Sequence, residues 1–230
     1  MSPETMVEDI TGLLEVWVAG WAGCRGYRTS TEGRFPAVLR ADTSGDWEFF
    51  ASEPTDDEFA ALAAKTAEAP ARVLTILTND IARYSTQAER HGLNVTSSSQ
   101  AMMIVDMETQ DAEDPWLSDD DLTHSSWEQD GVHYAEVRSG DALAASGRVF
   151  VVGETAVFDK IITEPAFQRR GLGSFIMRAL AAQAFGHDVQ EGLLLASADG
   201  RKLYSHLGWT TVSSVLMLSA SHDGSDLSLS

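Results

Sequence analysis

The period of the apolar residues changes along the second half of this chain, and the change marks out its elements. Val132 to Arg138 and Ala142 to Val152 read as two strands joined by a Ser139-Gly140-Asp141 turn. Gly153-Glu154 leads into a third strand, Ala156 to Thr163. Simple alternation puts Val157, Asp159, Ile161 and Thr163 of that strand on one face, and Pro165 bends the chain after it. Leu172, Phe175, Ile176, Ala179 and Leu180 then recur at helical spacing, with Gly186 suited to the helix end. A buried strand at Leu193 to Ser197, a short helix ending at Gly208 and a last strand, Thr211 to Leu218, complete the order.

The first half repeats part of this plan. Val73 to Thr78 parallels Leu193 to Ser197, His91-Gly92-Leu93 parallels Leu207-Gly208-Trp209, and Ala101 to Val105 parallels Val215 to Leu218. A helix is expected from about Asp80 to Arg90, and Trp17 and Trp21 sit at i,i+4 on an N-terminal helix as core residues. Between the halves, Thr109 to Asp130 is crowded with Asp and Glu and reads as a connection. The expected division is 1–108, an acidic connection 109–130, a second domain 131–220, and a disordered tail 221–230 rich in Ser, Asp and Gly.

Gln168-Arg169-Arg170-Gly171-Leu172-Gly173-Ser174 lies between the third strand and the helix. Glycines there let backbone N–H groups approach a ligand closely, and a helix N-terminus adds partial positive charge, which together suit a pyrophosphate. A dinucleotide fingerprint would need a third Gly where Ile176 stands, and a P-loop would need Gly-Lys-Ser/Thr. The corresponding place in the first half is Ser52 to Glu58. There Thr55 and Glu58 form a capping box whose neighbouring acids would repel phosphate.

The loop, with the downstream Leu203-Tyr204-Ser205-His206-Leu207-Gly208-Trp209, resembles the GNAT superfamily of N-acetyltransferases; the match runs from Val132 to Leu218 and is loose before that. The resemblance implies a mixed α/β fold, mostly antiparallel and twisted, splayed near Thr163 and Leu195, with helices on both faces. The partial repeat in the first half then has two readings, a tandem arrangement with a degenerate N-terminal lobe lacking the CoA loop or a chance similarity of strand–helix–strand units. Acetyl-CoA is the implied cosubstrate. It would be held by Ile161, Ile162 and Thr163, by Gln168, Arg169, Arg170, Gly171, Leu172, Gly173 and Ser174, and by Ser197, where the family often has Asn. Gly200 stands where the family often has Ala.

The implied reaction moves an acetyl group from the thioester to a primary amine of a small molecule or peptide by direct attack. Tyr204 occupies the family's general-acid position, and a phenol is reasonably matched to a thiolate leaving group. Asp159 is the candidate base, with Glu154, Glu136 and a water chain as rivals. The alternative function is a catalytically silent acyl-CoA-binding regulator, which needs the loop but not Tyr204.

Composition narrows the setting. A net charge of −19 argues against nucleic acid or an anionic membrane as partner, while an acidic field attracts protonated amines. The single cysteine, Cys24, excludes a disulfide framework and a thiolate zinc cluster, and reads as a small apolar filler. His133, His187 and His206 lack partners at metal-ligand spacing, so no metal is expected. Acids interrupt Met1 to Val18, which reads as neither signal peptide nor membrane span, and cytoplasm is the expected home. The resemblance leaves room for a homodimer.

Overall fold

The computed structural model describes residues 3–111, 113, 116, 117 and 119–220; the expected tail from Ser221 lies outside them. In chain order the elements are α1 (Pro3–Arg25), β1 (Arg28–Glu32), β2 (Phe35–Leu39), β3 (Trp47–Ser52), α2 (Asp56–Ala67), β4 (Val73–Thr78), α3 (Ile81–Arg90), β5 (Leu93–Asp106), β6 (Leu122–Gln129), β7 (Val132–Ser139), β8 (Ala142–Val152), β9 (Thr155–Thr163), α4 (Leu172–Ala184), β10 (Glu191–Ala196), α5 (Gly200–His206) and β11 (Thr210–Ala220). No helix among the described residues is long and apolar enough to cross a membrane.

Two compact units emerge, and neither is one continuous stretch of chain. The first comprises Met1–Leu14, Tyr27–Gln100 and Ser213–Ser230; the second comprises Glu15–Gly26 and Ala101–Val212. In the first, β3 and β4 pair in parallel with α2 between them in sequence, and β4 pairs antiparallel with β11. In the second, β9 and β10 pair in parallel with α4 between them, and β10 pairs antiparallel with the Ala101–Asp106 part of β5. The two halves of the sequence therefore follow one plan but exchange their closing strands. Burial explains the exchange. Met103 and Val105 belong to the apolar core of the second unit, and Leu216 and Leu218 to that of the first.

In the second unit β6, β7, β8 and β9 form an antiparallel ladder. The edge strand β6 lies inside the acidic stretch expected to be a mere connection. Its residues from Thr123 on are polar or exposed and only Leu122 is buried, so the strand shows little apolar alternation. All five residues assigned to the apolar stripe of α4 are buried, as are Met177, Ala181 and Ala184. Burying each large side chain contributes roughly 1.5–3 kcal/mol. The helix ends at Ala184, just before the expected Gly186 stop, and passes into a tight turn, Phe185–His187, closed by the left-handed Asp188 at φ 54°. Trp17 and Trp21 stack in the core at 5.5 Å, as their spacing predicts.

A bulge in β9 shapes everything that follows. Ser146 pairs with Ile162 and Arg148 with Asp159, so Lys160 and Ile161 together oppose the single Gly147. Lys160 adopts φ 51°, the left-handed conformation such bulges use. Ile161 is driven over Gly147, where a Cβ would lie only 2.6 Å from Ile161 Cδ1 and from Ile176 Cγ2. Only glycine leaves room there.

Candidate active site

The parallel pairing of β9 with β10 covers only Thr155–Val157 and Glu191–Leu193. From Phe158 onward the two strands have no mutual ladder, so the sheet opens toward Thr163 and Ala196. The splay expected near Thr163 and Leu195 thus begins one or two residues after Val157, and its open end carries the loop, Ser197 and α5.

The loop before α4 is shaped by its backbone conformation. After the turn Pro165–Phe167, the Gln168 side-chain amide donates to Thr163 O at 3.4 Å. Arg169 at φ 62° and Gly171 at φ 78° are both left-handed. Gly171 stands at the N-cap of α4 with no side-chain cap, and the first turn of the helix holds no acid. The first-turn N–H groups therefore have no side-chain cap. The two glycines differ in purpose. Gly171 supplies a backbone conformation, since a Cβ there would meet nothing within 4 Å. Gly173 supplies space, since its Cβ would lie 3.0 Å from Leu203 and 3.7 Å from Thr163 Oγ1.

The first unit presents the opposite arrangement at α2. Glu58 N–H donates to Thr55 Oγ1, and Thr55 N–H donates to Glu58 Oε2 at 2.9 Å, the capping box expected from the sequence. Arg34 bonds the same carboxylate and holds it down to about 2. That helix start is spoken for by its own side chains.

The remaining residues expected at the site fall as follows. Leu172 is buried and anchors the start of α4 in the core, while Ser174 is half-buried one turn from the loop. Ile161 is packed against the core below α4, and Ile162 points to the opposite face, 46% exposed. Ser197 Oγ accepts from Gly200 N–H at 3.1 Å, which starts α5 without the family's Asn. Arg170 is not idle. It lies over the Phe167 ring and its guanidinium pairs with Asp119 from the acidic stretch.

Tyr204 is buried between α5 and the core, its ring 6.0 Å from that of Trp209, which in turn meets Phe158 edge-on at 5.5 Å. Burial, and secondarily the charge of Asp159, push its hydroxyl up to about 12. The phenol is thus fully protonated across the physiological range.

Asp159, the expected base, is held by two arginines. Arg25, from the end of α1, donates to both of its oxygens, at 3.0 and 2.8 Å. Arg148 donates twice to Oδ2, at 2.9 and 2.7 Å. These are charge-assisted bonds, the stronger kind of hydrogen bond. The expected face is wrong for two of its neighbours. Val157 and Asp159 face α1, as the contact of Val157 with Gly20 and the Arg25 bonds require, whereas the bulge turns Ile161 and Thr163 toward α4. Among the rivals, Glu154 lies at the closed, paired end of β9, its carbonyl accepting from Gln190 N–H. Glu136 lies on β7 across Ser146 from Ile162, bonded to Arg138 at 3.1 Å.

Arg25 and Arg148 carry no motif, and only the pairing of distant segments brings them to Asp159. The Lys160 bulge likewise has no signal in the residues themselves. Cys24 is the inert filler expected, buried against Val157 with its thiol pushed up to about 12 by burial. His133 and His187, which sequence spacing does not pair, meet edge-on at 4.9 Å, and burial lowers the pKa of His133.

Residues 101–209 match the Acetyltransferase (GNAT) family. A mycothiol acetyltransferase from Nocardioides sp. (strain ATCC BAA-499 / JS614) is 37% identical over 83 residues, which are 35% of this chain and 27% of that protein. The aligned part therefore spans about a quarter of that relative's length. Among solved structures, a GCN5-related N-acetyltransferase from Kribbella flavida is similar at a TM-score of 0.63 and 14% identity, covering 92% of this chain and 94% of that one. A tandem GNAT protein from the clavulanic acid biosynthesis pathway is similar at 0.57 and 10% identity, covering 94% and 95%. At such identities the two structures speak to the fold alone.

Proposed function

Given that residues 101–209 belong to the GNAT acetyltransferase family, we propose that this chain transfers an acetyl group from acetyl-CoA to an amine. The observation that carries the reading is the uncapped start of α4 behind two left-handed residues, at the open end of β9 and β10. Its N–H groups suit the pyrophosphate, with Arg169 and Arg170 adding charge. The unpaired edge of β9 through Ile161, Ile162 and Thr163 offers backbone groups to the pantetheine arm and the thioester carbonyl. Thr55 and Glu58 occupy the start of α2 with their own side chains, which supports a single acyl-CoA site, at α4.

In the step itself the amine nitrogen attacks the thioester carbon, the carbon–sulfur bond breaks, and the thiolate takes a proton. Tyr204 supplies that proton, being buried, protonated and on the helix after Ser197. Asp159 holds Arg25 and Arg148 rather than collecting the amine's proton. That proton leaves through Glu136 or water, routes that the pH profile of Glu136→Gln separates. The acetyl group is favoured because the aligned relative is named an acetyltransferase; its acceptor is not carried over, given the short alignment.

The test is acetyl-CoA turnover across an amine panel with thiol release as readout, beside calorimetry of CoA binding. Gly171→Val should abolish both, because a β-branched residue cannot hold φ 78° without strain. Unchanged CoA affinity in that variant would refute the site. Binding without turnover of any amine would instead identify a silent acyl-CoA sensor.

A further inference from the structure

We infer that strand β1 is a docking edge for a second copy of this chain, which adds to it antiparallel about a two-fold axis at Ser30. The contact lies in the first unit and is independent of the acetyltransferase reading.

The edge is open. β1 pairs with β2 on one side and with no further strand among the described residues. Arg28, Thr29, Ser30 and Thr31 are exposed. An unpaired edge is a template for another strand, and proteins commonly guard it with proline, lysine or a bulge. β1 has no proline or lysine, and its register with β2 is unbroken from Arg28 to Glu32.

The turn after β1 fixes which backbone groups it offers. Only Gly33 and Arg34 separate β1 from β2, with Gly33 at φ 59°. A two-residue hairpin loop makes its flanking pair, Glu32 and Phe35, a hydrogen-bonded one. Bonding alternates along an antiparallel ladder, so Glu32, Ser30 and Arg28 turn their backbone groups toward β2. Thr29 and Thr31 turn theirs outward. A copy centred on Ser30 sets Thr29 opposite Thr31 of the partner subunit, and Thr31 opposite Thr29 of the partner subunit, as two hydrogen-bonded pairs.

The side chains fit the same register. Arg28-Thr29-Ser30-Thr31-Glu32 is its own complement when reversed. Arg28 falls opposite Glu32 of the partner subunit, and Glu32 opposite Arg28 of the partner subunit. Threonine meets threonine, and Ser30 meets its own copy. Opposite charges and Thr–Thr pairs are both favourable across strands. An in-register parallel copy would instead set like charges together. Arg34 pairs with Glu58 in its own chain, whereas Arg28 and Glu32 form no ion pair among the described residues. A cavity of about 180 Å³ beside Glu32, lined also by Ser30, Trp47, Phe49 and Lys65, leaves room for the incoming arginine stem. The edge strand β6 offers no such match, since it carries Glu128 and no Lys or Arg.

Two five-residue strands make a small contact, so association is reversible and concentration-dependent. The net charge of −19 opposes it at long range, and physiological salt screens that repulsion beyond about 8 Å.

Sedimentation velocity of the full chain at physiological ionic strength, from low micromolar to near-millimolar concentration, is the test. Monomer should give way to dimer as concentration rises. Thr31→Pro should hold the chain monomeric without disturbing the hairpin, because the amide it removes faces away from β2. Arg28→Glu sets like charges opposite each other and should weaken the dimer by about tenfold or more. Adding Glu32→Arg reverses both charges and should restore the affinity to within a few-fold of wild type. Circular dichroism checks that each variant is folded. A monomer throughout, a dimer indifferent to Thr31→Pro, or a double variant no tighter than Arg28→Glu would each overturn the inference. Should Thr31→Pro not fold, the two charge variants decide alone.

Discussion

Arg25 Nη2 meets Asp159 Oδ1 at 2.8 Å although the two residues are 134 positions apart in the chain. With Arg148 on the other side, the carboxylate ties the last turn of α1 to β8 and β9 at the point where the sheet opens. Asp159 is only 10% exposed, so the pair is largely shielded from solvent. Asp159→Asn should leave two facing guanidiniums without their counter-charge and destabilise the protein by about 3 kcal/mol or more. Urea unfolding measures this. A loss below about 1 kcal/mol, with catalysis abolished, would return Asp159 to the role of base.

Tyr204→Phe should keep the fold and CoA affinity, because one oxygen is lost from a buried ring, while turnover falls by about 10²–10⁴-fold with little change in KM. The alkaline limb offers a second check. The folded-state pKa of Tyr204 is raised from 10.0 to about 12, so its contribution to stability is intact below pH 10 and is lost as pH rises toward 12. Unfolding curves for the mutant should therefore fall less steeply than wild type over that window. Identical curves would mean that Tyr204 titrates normally, and a rate within a few-fold of wild type would assign the leaving-group proton elsewhere.

The capping box of α2 makes a prediction confined to stability. Thr55→Ala should cost about 1 kcal/mol and leave CoA binding untouched. Glu58 has its pKa lowered from 4.5 to about 2, chiefly by Arg34. Its contribution is therefore present above pH 4.5 and lost as pH falls toward 2. Glu58→Gln should flatten that acid limb; a limb as steep as wild type would show that the carboxylate is not held by Arg34 in solution.

Asp119 pairs with Arg170 within the loop proposed for the pyrophosphate. Removing this competitor by Asp119→Asn should tighten CoA binding by a few-fold, and the gain should shrink in high salt, since both groups are more than a third exposed. Calorimetry at low and high ionic strength reads it directly. Weaker binding in the variant would mean that Asp119 orders the loop rather than competing for Arg170.

Much of the second unit is legible in the residues alone. The stripe of Leu172, Phe175, Ile176, Ala179 and Leu180, the turns at Ser139-Gly140-Asp141 and Gly153-Glu154, and the glycines of the loop are local features. Their conformations follow from side-chain period and backbone freedom within a few residues. The Thr55–Glu58 box is readable for the same reason. Strand β6 escapes because its exposed polar residues give no alternation to read.

Pairing between distant segments decided the rest. The sequence by itself determined most elements of the second unit, where the glycine turn before α4 lies, and which helix start is closed by its own side chains. Only the tertiary structure decided that β5 and β11 exchange places between the repeated halves, because a strand's partner is set by which core buries its apolar face. Only it inserted Lys160 as a bulge, which moved Ile161 to the face opposite Asp159, since one extra residue reverses a period of two. And only it brought Arg25 and Arg148 to Asp159, because contacts between segments so far apart in the chain are made by folding and not by local sequence.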